Sequence, residues 1–230
     1  MASIAENLAS VRSRIEKACR AAQRDPAEVT LISVGKAFTP DILKQALAAG
    51  QRDFAENYLQ EALPKLDALP REGVTWHFIG DIQGNKAADI ATRFDWVHGL
   101  DREKIARKLS DARPSGMEPL NLCVQVNISK ERSKAGVLPD TALSLCQMVS
   151  HLPRVRLRGL MAIPAPPSPG TDPREPYRRL RELYHGLQKY GFELDTLSAG
   201  MSEDFEAAIA EGSTMVRIGT AIFGERTAQG

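Results

Sequence analysis

Apolar positions along the chain follow two rhythms that take turns. At the start, Ile4, Leu8, Val11, Ile15 and Ala18 recur at helical spacing. Ser3-x-x-Glu6 ahead of them has the form of a capping box, in which each side chain accepts from the other residue's backbone N–H. After Pro26 the rhythm changes, because Val29-Thr30-Leu31-Ile32-Ser33-Val34 is a β-branched apolar run too short for a helix. Thr39-Pro40 restarts a helix with proline at the first helical position, and Gly50 closes it. The alternation then continues. Strands are predicted at 29–34, 52–55, 74–79, 95–98, 121–127, 156–162, 196–198 and 215–218. Helical patterns occupy 57–69, 85–92, 101–112, 139–151, 174–190 and 203–211.

Each predicted strand lies too far from the next for a tight hairpin, so the alternation implies a parallel sheet of the α/β class. Eight such units behind one leading helix predict a closed (β/α)8 barrel of the TIM type, with residues 1–230 forming a single domain. The rival is an open doubly wound sheet. Its mark would be a G-x-G-x-x-G turn after the first strand, where this chain has Gly35-Lys36-Ala37-Phe38. Residues 163–176 hold six of the fourteen prolines and predict a surface loop after the sixth strand. The strand rhythm resumes beyond it, which argues against an interdomain linker. The chain shows no internal repeat.

Composition narrows the functional classes. Among the 230 residues, 30 Lys and Arg nearly cancel 29 Asp and Glu, leaving a formal charge of +1. That offers no strong field for nucleic acid or for a membrane surface, so neither is expected as a partner. Cys19, Cys123 and Cys146 form no C-x-x-C pair and no Cys/His cluster, which fits a reducing compartment and predicts no metal site. The first residues, Met1-Ala2-Ser3-Ile4-Ala5-Glu6, lack an uninterrupted apolar stretch, and no segment approaches the ~20 apolar residues of a membrane span. A cytoplasmic protein, monomeric, is expected.

In a barrel the site is built by the loops that follow the strands. After the first strand comes Lys36. At the mouth of an apolar barrel, desolvation disfavours the ammonium form and frees the amine to attack an aldehyde. Position alone favours a lysine reaching solvent or pairing with a carboxylate over a reactive one, and a lone lysine is a weak signal. After the seventh strand, Ser198-Ala199-Gly200-Met201-Ser202 runs into Glu203-Asp204-Phe205-Glu206. Small residues there let the backbone approach an anion, although Ser202 could equally be a helix cap. After the eighth strand, Arg217-Ile218-Gly219-Thr220-Ala221 repeats the pairing of a glycine with a hydroxyl residue. Phosphate sites of barrels lie in these last two loops, so the pair describes a phosphate seat with Lys36 across the mouth, as a phosphorylated aldehyde cofactor requires. Arg217 shares its strand parity with Met215 and points inward by that count. An inward arginine lacking an acidic partner is costly unless it serves a ligand. Facing a pyridine nitrogen it would discourage ring protonation and weaken an electron sink. Asn57 after the second strand, and Gln125 with Asn127 on one face of the fifth, are further candidates to line the pocket. His77 and Met161 read better as core residues.

The residues that carry this chemistry resemble a known family. Gly50-Gln51-Arg52-Asp53-Phe54-Ala55-Glu56-Asn57-Tyr58, Trp76-His77-Phe78-Ile79-Gly80, Gln125-Val126-Asn127-Ile128-Ser129, Arg158-Gly159-Leu160-Met161-Ala162-Ile163, Ser198-Ala199-Gly200-Met201-Ser202 and the run from Gly212 to Gly224 look like the pyridoxal phosphate homeostasis proteins, a family similar to the N-terminal domain of alanine racemases. The resemblance implies a (β/α)8 barrel that binds pyridoxal 5′-phosphate as a Schiff base on Lys36. It also implies phosphate contacts from the turns holding Ser202 and Gly219-Thr220, and Arg217 near the pyridine nitrogen. Ser198, Gly200 and Asn57 complete the expected cofactor-binding set. The chain departs from the family at four positions: Gly35 where serine is usual, Ala55 for glycine, Asp81 for histidine and Ala199 for methionine.

Family members are thought to buffer or deliver the cofactor without an established reaction, so PLP-dependent apoenzymes are the expected partners. A racemase-type enzyme is the alternative, but it needs two opposed bases where only Lys36 is in evidence, and a β domain that these 230 residues do not include. A Schiff-base aldolase acting on a phosphorylated substrate would reuse the same lysine and turns, and it ranks last because the family match is long.

Overall fold

A computed structural model of the chain describes residues 2–131, 134–166 and 170–225. Within them the helices are α1 (Ile4–Ala21), α2 (Pro40–Ala48), α3 (Leu59–Ala68), α4 (Ala87–Arg93), α5 (Glu103–Ala112), α6 (Pro139–Ser150), α7 (Glu175–Lys189), α8 (Phe205–Ala210) and α9 (Thr220–Phe223). The strands are β1 (Thr30–Val34), β2 (Asp53–Glu56), β3 (Thr75–Phe78), β4 (Trp96–Leu100), β5 (Leu120–Gln125), β6 (Val155–Met161), β7 (Thr196–Ser198) and β8 (Met215–Ile218). All pair in parallel with their sequence neighbours, and β1 closes the circle by pairing Ile32 with Arg217 of β8 and Ser33 with Phe54 of β2. The predicted (β/α)8 barrel is the observed one.

Both faces of the sheet are covered, which is why the strands read as apolar runs rather than as alternating ones. Outward-facing Phe54, Trp76, Val97, Leu122 and Leu160 join the helices in one large core. Inward-facing Ile32, Ala55, Trp96, Cys123, Met161 and Met215 form a second cluster inside the barrel. The leading helix keeps its predicted capping box, with Glu6 N–H donating to Ser3 Oγ at 3.2 Å and Ser3 N–H to Glu6 Oε2 at 2.7 Å. It lies against α8 and α9, where Asn7 Nδ2 donates to the Ile222 carbonyl at 2.9 Å.

Two boundaries differ for physical reasons. β5 ends at Gln125, short of Asn127, because the Asn127 amide turns to the carbonyls of Glu131 and Lys134 at 2.7 and 3.3 Å and bends the chain away from the sheet. Asn127 therefore lies beyond the strand, with its amide engaged by its own loop. α8 starts late because Asp204 Oδ1 accepts from Met201 N–H at 2.6 Å and holds 201–204 as a turn. The short α9 was not predicted. The expected proline-rich loop follows β6, and its residues 167–169 lie outside the described residues.

The three cysteines are buried and free. Burial in apolar surroundings pushes the thiols of Cys123 and Cys146 up to about 12. The thiolate is the reactive form, so neither is expected to alkylate in the folded protein at pH 8, whereas unfolding in denaturant should expose all three to iodoacetamide. Mass spectrometry of native and denatured samples checks this.

Candidate functional site

The lysine predicted from the first strand sits where the barrel opens. After β1, Gly35 N–H continues the ladder to the Ala55 carbonyl at 2.9 Å. The chain then turns sharply, with Ala37 at φ 66° and its N–H on Glu61 Oε2 at 3.1 Å. Lys36 is half-buried, and its Nζ lies 5.1 Å from the centre of the Tyr58 ring. No carboxylate pairs with it among the described residues.

A buried ion pair braces the backbone next to this lysine. Lys65 Nζ of α3 donates to the Gly35 carbonyl at 2.9 Å and to Glu56 Oε1 at 2.8 Å. Glu56 is fully buried, and desolvation, only partly offset by Lys65, raises its carboxyl to about 7. A Cβ on Gly35 would stand 2.6 Å from Glu56 Oε1, so glycine rather than serine fits this arrangement.

The turns after β7 and β8 differ in what their glycines do. Gly200 has φ 97°, and a Cβ there would lie 2.7 Å from Ala208 Cβ and 2.9 Å from Phe205 Cα. Its size is therefore required by the packing of α8. At Gly219 a Cβ would meet only ordinary contacts, Val34 O at 3.4 Å and Val34 Cβ at 3.6 Å. The protein's own packing does not demand glycine there, and the space beside β1, next to Lys36, stays available to a ligand. Thr220 and Ser202 border it on the two turns, exposed and half-buried.

Arg217 points into the barrel, as its parity predicted. It is buried, and Nη1 donates to Ser198 Oγ at 2.6 Å while Nη2 donates to the Ala162 carbonyl at 3.0 Å. Both acceptors are neutral, and no carboxylate pairs with the guanidinium among the described residues. Burial lowers it to about 10, which leaves it cationic at neutral pH. Asn57 carries a second sign of an incomplete site, because its Oδ1 is shielded from solvent and has no hydrogen-bond partner among the described residues. Gln125 stays at the barrel end with its Nε2 3.4 Å from the Ala135 carbonyl.

The structure therefore gathers Lys36, Asn57, Ser202, Gly219 and Thr220 at the strand C-termini and seats Ser198 and Arg217 just inside. His77 and Met161 are fully buried, as expected of core residues. Sequence reasoning missed Tyr58, which lies against Lys36, and His98, whose Nδ1 is 2.7 Å from Ser198 Oγ. His98 shares inward parity with Trp96, so asking which polar residues interrupt the inward face of each strand would have found it.

Comparison with known proteins adds independent findings. The family model described as "Alanine racemase, N-terminal domain" matches residues 2–227. The pyridoxal phosphate homeostasis protein of Pseudomonas aeruginosa is 53% identical over 226 residues, covering 98% of this chain and 97% of that protein. The Escherichia coli protein of the same name is 49% identical over 229 residues, with 98% of each chain covered. The structure of PipY from Synechococcus elongatus with PLP bound superposes with a TM-score of 0.81 at 36% identity, covering 96% of this chain and 100% of that one. Alanine racemase from Corynebacterium glutamicum gives a TM-score of 0.72 at 17% identity, over 98% of this chain and 62% of its own, a likeness of fold alone.

Proposed function

Because the chain belongs to the alanine racemase N-terminal-domain family, we propose that it binds pyridoxal 5′-phosphate as a Schiff base on Lys36 and serves the homeostasis and delivery of that cofactor. The observation that carries this reading is one mouth holding a half-buried lysine without a carboxylate partner and a buried, cationic arginine paired only to neutral groups.

The residues present fit the cofactor. Gly219 leaves room that packing does not claim, Asn57 Oδ1 lacks a partner, and Arg217 has more N–H donors than its two hydrogen bonds use. In this reading Lys36 takes the aldehyde, and the turns of Gly200-Met201-Ser202 and Gly219-Thr220 take the phosphate. Asn57 lines the ring, and Arg217, held by Ser198, donates to the ring nitrogen. When bound, the cofactor supplies an aldehyde that condenses with amines and a ring that withdraws electrons. A guanidinium at the ring nitrogen keeps that nitrogen unprotonated and the electron sink weak, which suits holding better than turnover. The buried, unpaired cysteines match a reducing cytoplasm, where a monomer would pass the cofactor to PLP-dependent apoenzymes.

Titration with pyridoxal 5′-phosphate and with unphosphorylated pyridoxal tests the site. The phosphorylated aldehyde is expected to generate a visible chromophore at one equivalent, and pyridoxal only at large excess. Equal binding of the two would remove the phosphate seat.

A further inference from the structure

Below Arg217, polar side chains from five strands make one continuous hydrogen-bonded line through the barrel interior. Arg217 Nη1 reaches Ser198 Oγ at 2.6 Å, and Ser198 Oγ lies 2.7 Å from His98 Nδ1. His98 Nε2 is 3.0 Å from His77 Nδ1, and His77 Nε2 is 3.0 Å from Asp53 Oδ1. His77, His98 and Ser198 are fully buried, while Asp53 at the start of β2 keeps 26% of its side chain exposed at the closed end.

Chemistry fixes the order of the protons. The Asp53 carboxylate only accepts, so His77 Nε2 carries a hydrogen. At the other end Arg217 only donates, so Ser198 Oγ accepts from it and turns its hydroxyl hydrogen to His98 Nδ1, and His98 Nε2–H then donates to His77 Nδ1. Every donor then points the same way, from the cation toward the carboxylate, and such chains polarise cooperatively. Burial, the largest cause, and the Arg217 cation favour neutral His98. Branched apolar side chains ordinarily fill barrel interiors, and buried polar groups are costly unless fully paired. A line of five polar groups is an expensive filling if packing is its only role.

We infer that Asp53, His77, His98 and Ser198 are positioning residues that orient the Arg217 guanidinium from the closed end of the barrel, with Asp53 as the acceptor that sets the direction of the line. The inference rests on the reading that Arg217 faces the cofactor ring. Trp96 keeps the middle of the line in place, with its ring stacked on His77 at 5.8 Å between centroids and 22° between planes.

The test is ¹⁵N NMR of the protein labelled at histidine and arginine, recorded first without cofactor. At pH 7 both His77 and His98 should be neutral Nε2–H tautomers, and the Arg217 Nη protons should exchange slowly. Asp53→Asn keeps an acceptor oxygen and should preserve both signals. Asp53→Leu should mix the His77 and His98 tautomers and remove the Arg217 protection. After cofactor loading, Asp53→Leu should also shift the pH dependence of the visible spectrum, with Asp53→Asn behaving like the unaltered protein. An Nδ1–H tautomer or an imidazolium at His98, or Arg217 protection that survives Asp53→Leu, overturns the inference. If Asp53→Leu fails to fold, the tautomers of the unaltered protein decide. Because these signals are read without cofactor, a failure of cofactor binding leaves them intact, so the two claims fail separately.

Discussion

Lys65→Met is expected to lower the unfolding free energy by about 3–5 kcal/mol, the range found when one partner of a buried ion pair is removed. The substitution deprives Glu56 of the cation that pairs with it among the described residues and the Gly35 carbonyl of a donor, and Glu56 is fully buried. The pH dependence follows from Glu56. In the unaltered protein its carboxyl is raised to about 7 from an ordinary 4.5, so between those values the folded state holds a proton that the unfolded state has lost. Its contribution to stability is therefore fully present below pH 4.5 and is lost as pH rises to about 7. Without Lys65 the carboxyl titrates higher still, and the decline extends above pH 7. Urea unfolding should show a larger deficit for Lys65→Met at pH 8 than at pH 6, because at pH 6 Glu56 escapes its unpaired charge by taking up a proton. The double substitution Glu56→Leu/Lys65→Met should recover most of the loss. An equal deficit at the two pH values would mean that Glu56 is not the group left unpaired.

Lys36→Ala is expected to abolish covalent attachment of pyridoxal 5′-phosphate while leaving the fold unchanged. The side chain contributes little to packing, since it is half-buried and its Nζ lies 5.1 Å from the centre of the Tyr58 ring. Truncation therefore belongs with ordinary surface substitutions, within about 0.5 kcal/mol of neutral. Gly219, Thr220, Ser202 and Arg217 remain, so the variant should still take up the cofactor reversibly and more weakly. Borohydride treatment followed by intact-mass measurement should find no adduct on it. A variant that still forms a reducible adduct would remove Lys36 from the account.

The barrel was legible because parallel strands covered on both faces read as short apolar runs, and eight of them in strict alternation with helices leave few topologies. The placement of Lys36, Gly219-Thr220 and Arg217 was legible for a related reason: strand order and parity tell which residues stand at the mouth of a barrel and which point inward. The Glu56–Lys65 pair was not. Lys65 reads as an ordinary helix lysine, and its burial arises only when α3 closes over the Gly35 turn. The interior line escaped too, because residues 53, 77, 98, 198 and 217 obey no spacing rule and meet only when the sheet curls shut. The small size of Gly200 lets the backbone approach a ligand, and the structure adds a reason internal to the chain, the close approach of Phe205 and Ala208. Asn127 shares its parity with Gln125 on paper but lies past the point where the strand ends.

The central claim is that Lys36 is the residue that holds the cofactor. Its most direct test is borohydride reduction of the unaltered, cofactor-loaded protein, followed by proteolysis and peptide mass mapping. The account predicts one pyridoxyl group per chain, on the peptide carrying Lys36. A pyridoxyl group on any other lysine, or a chromophore that leaves none after reduction, would contradict it.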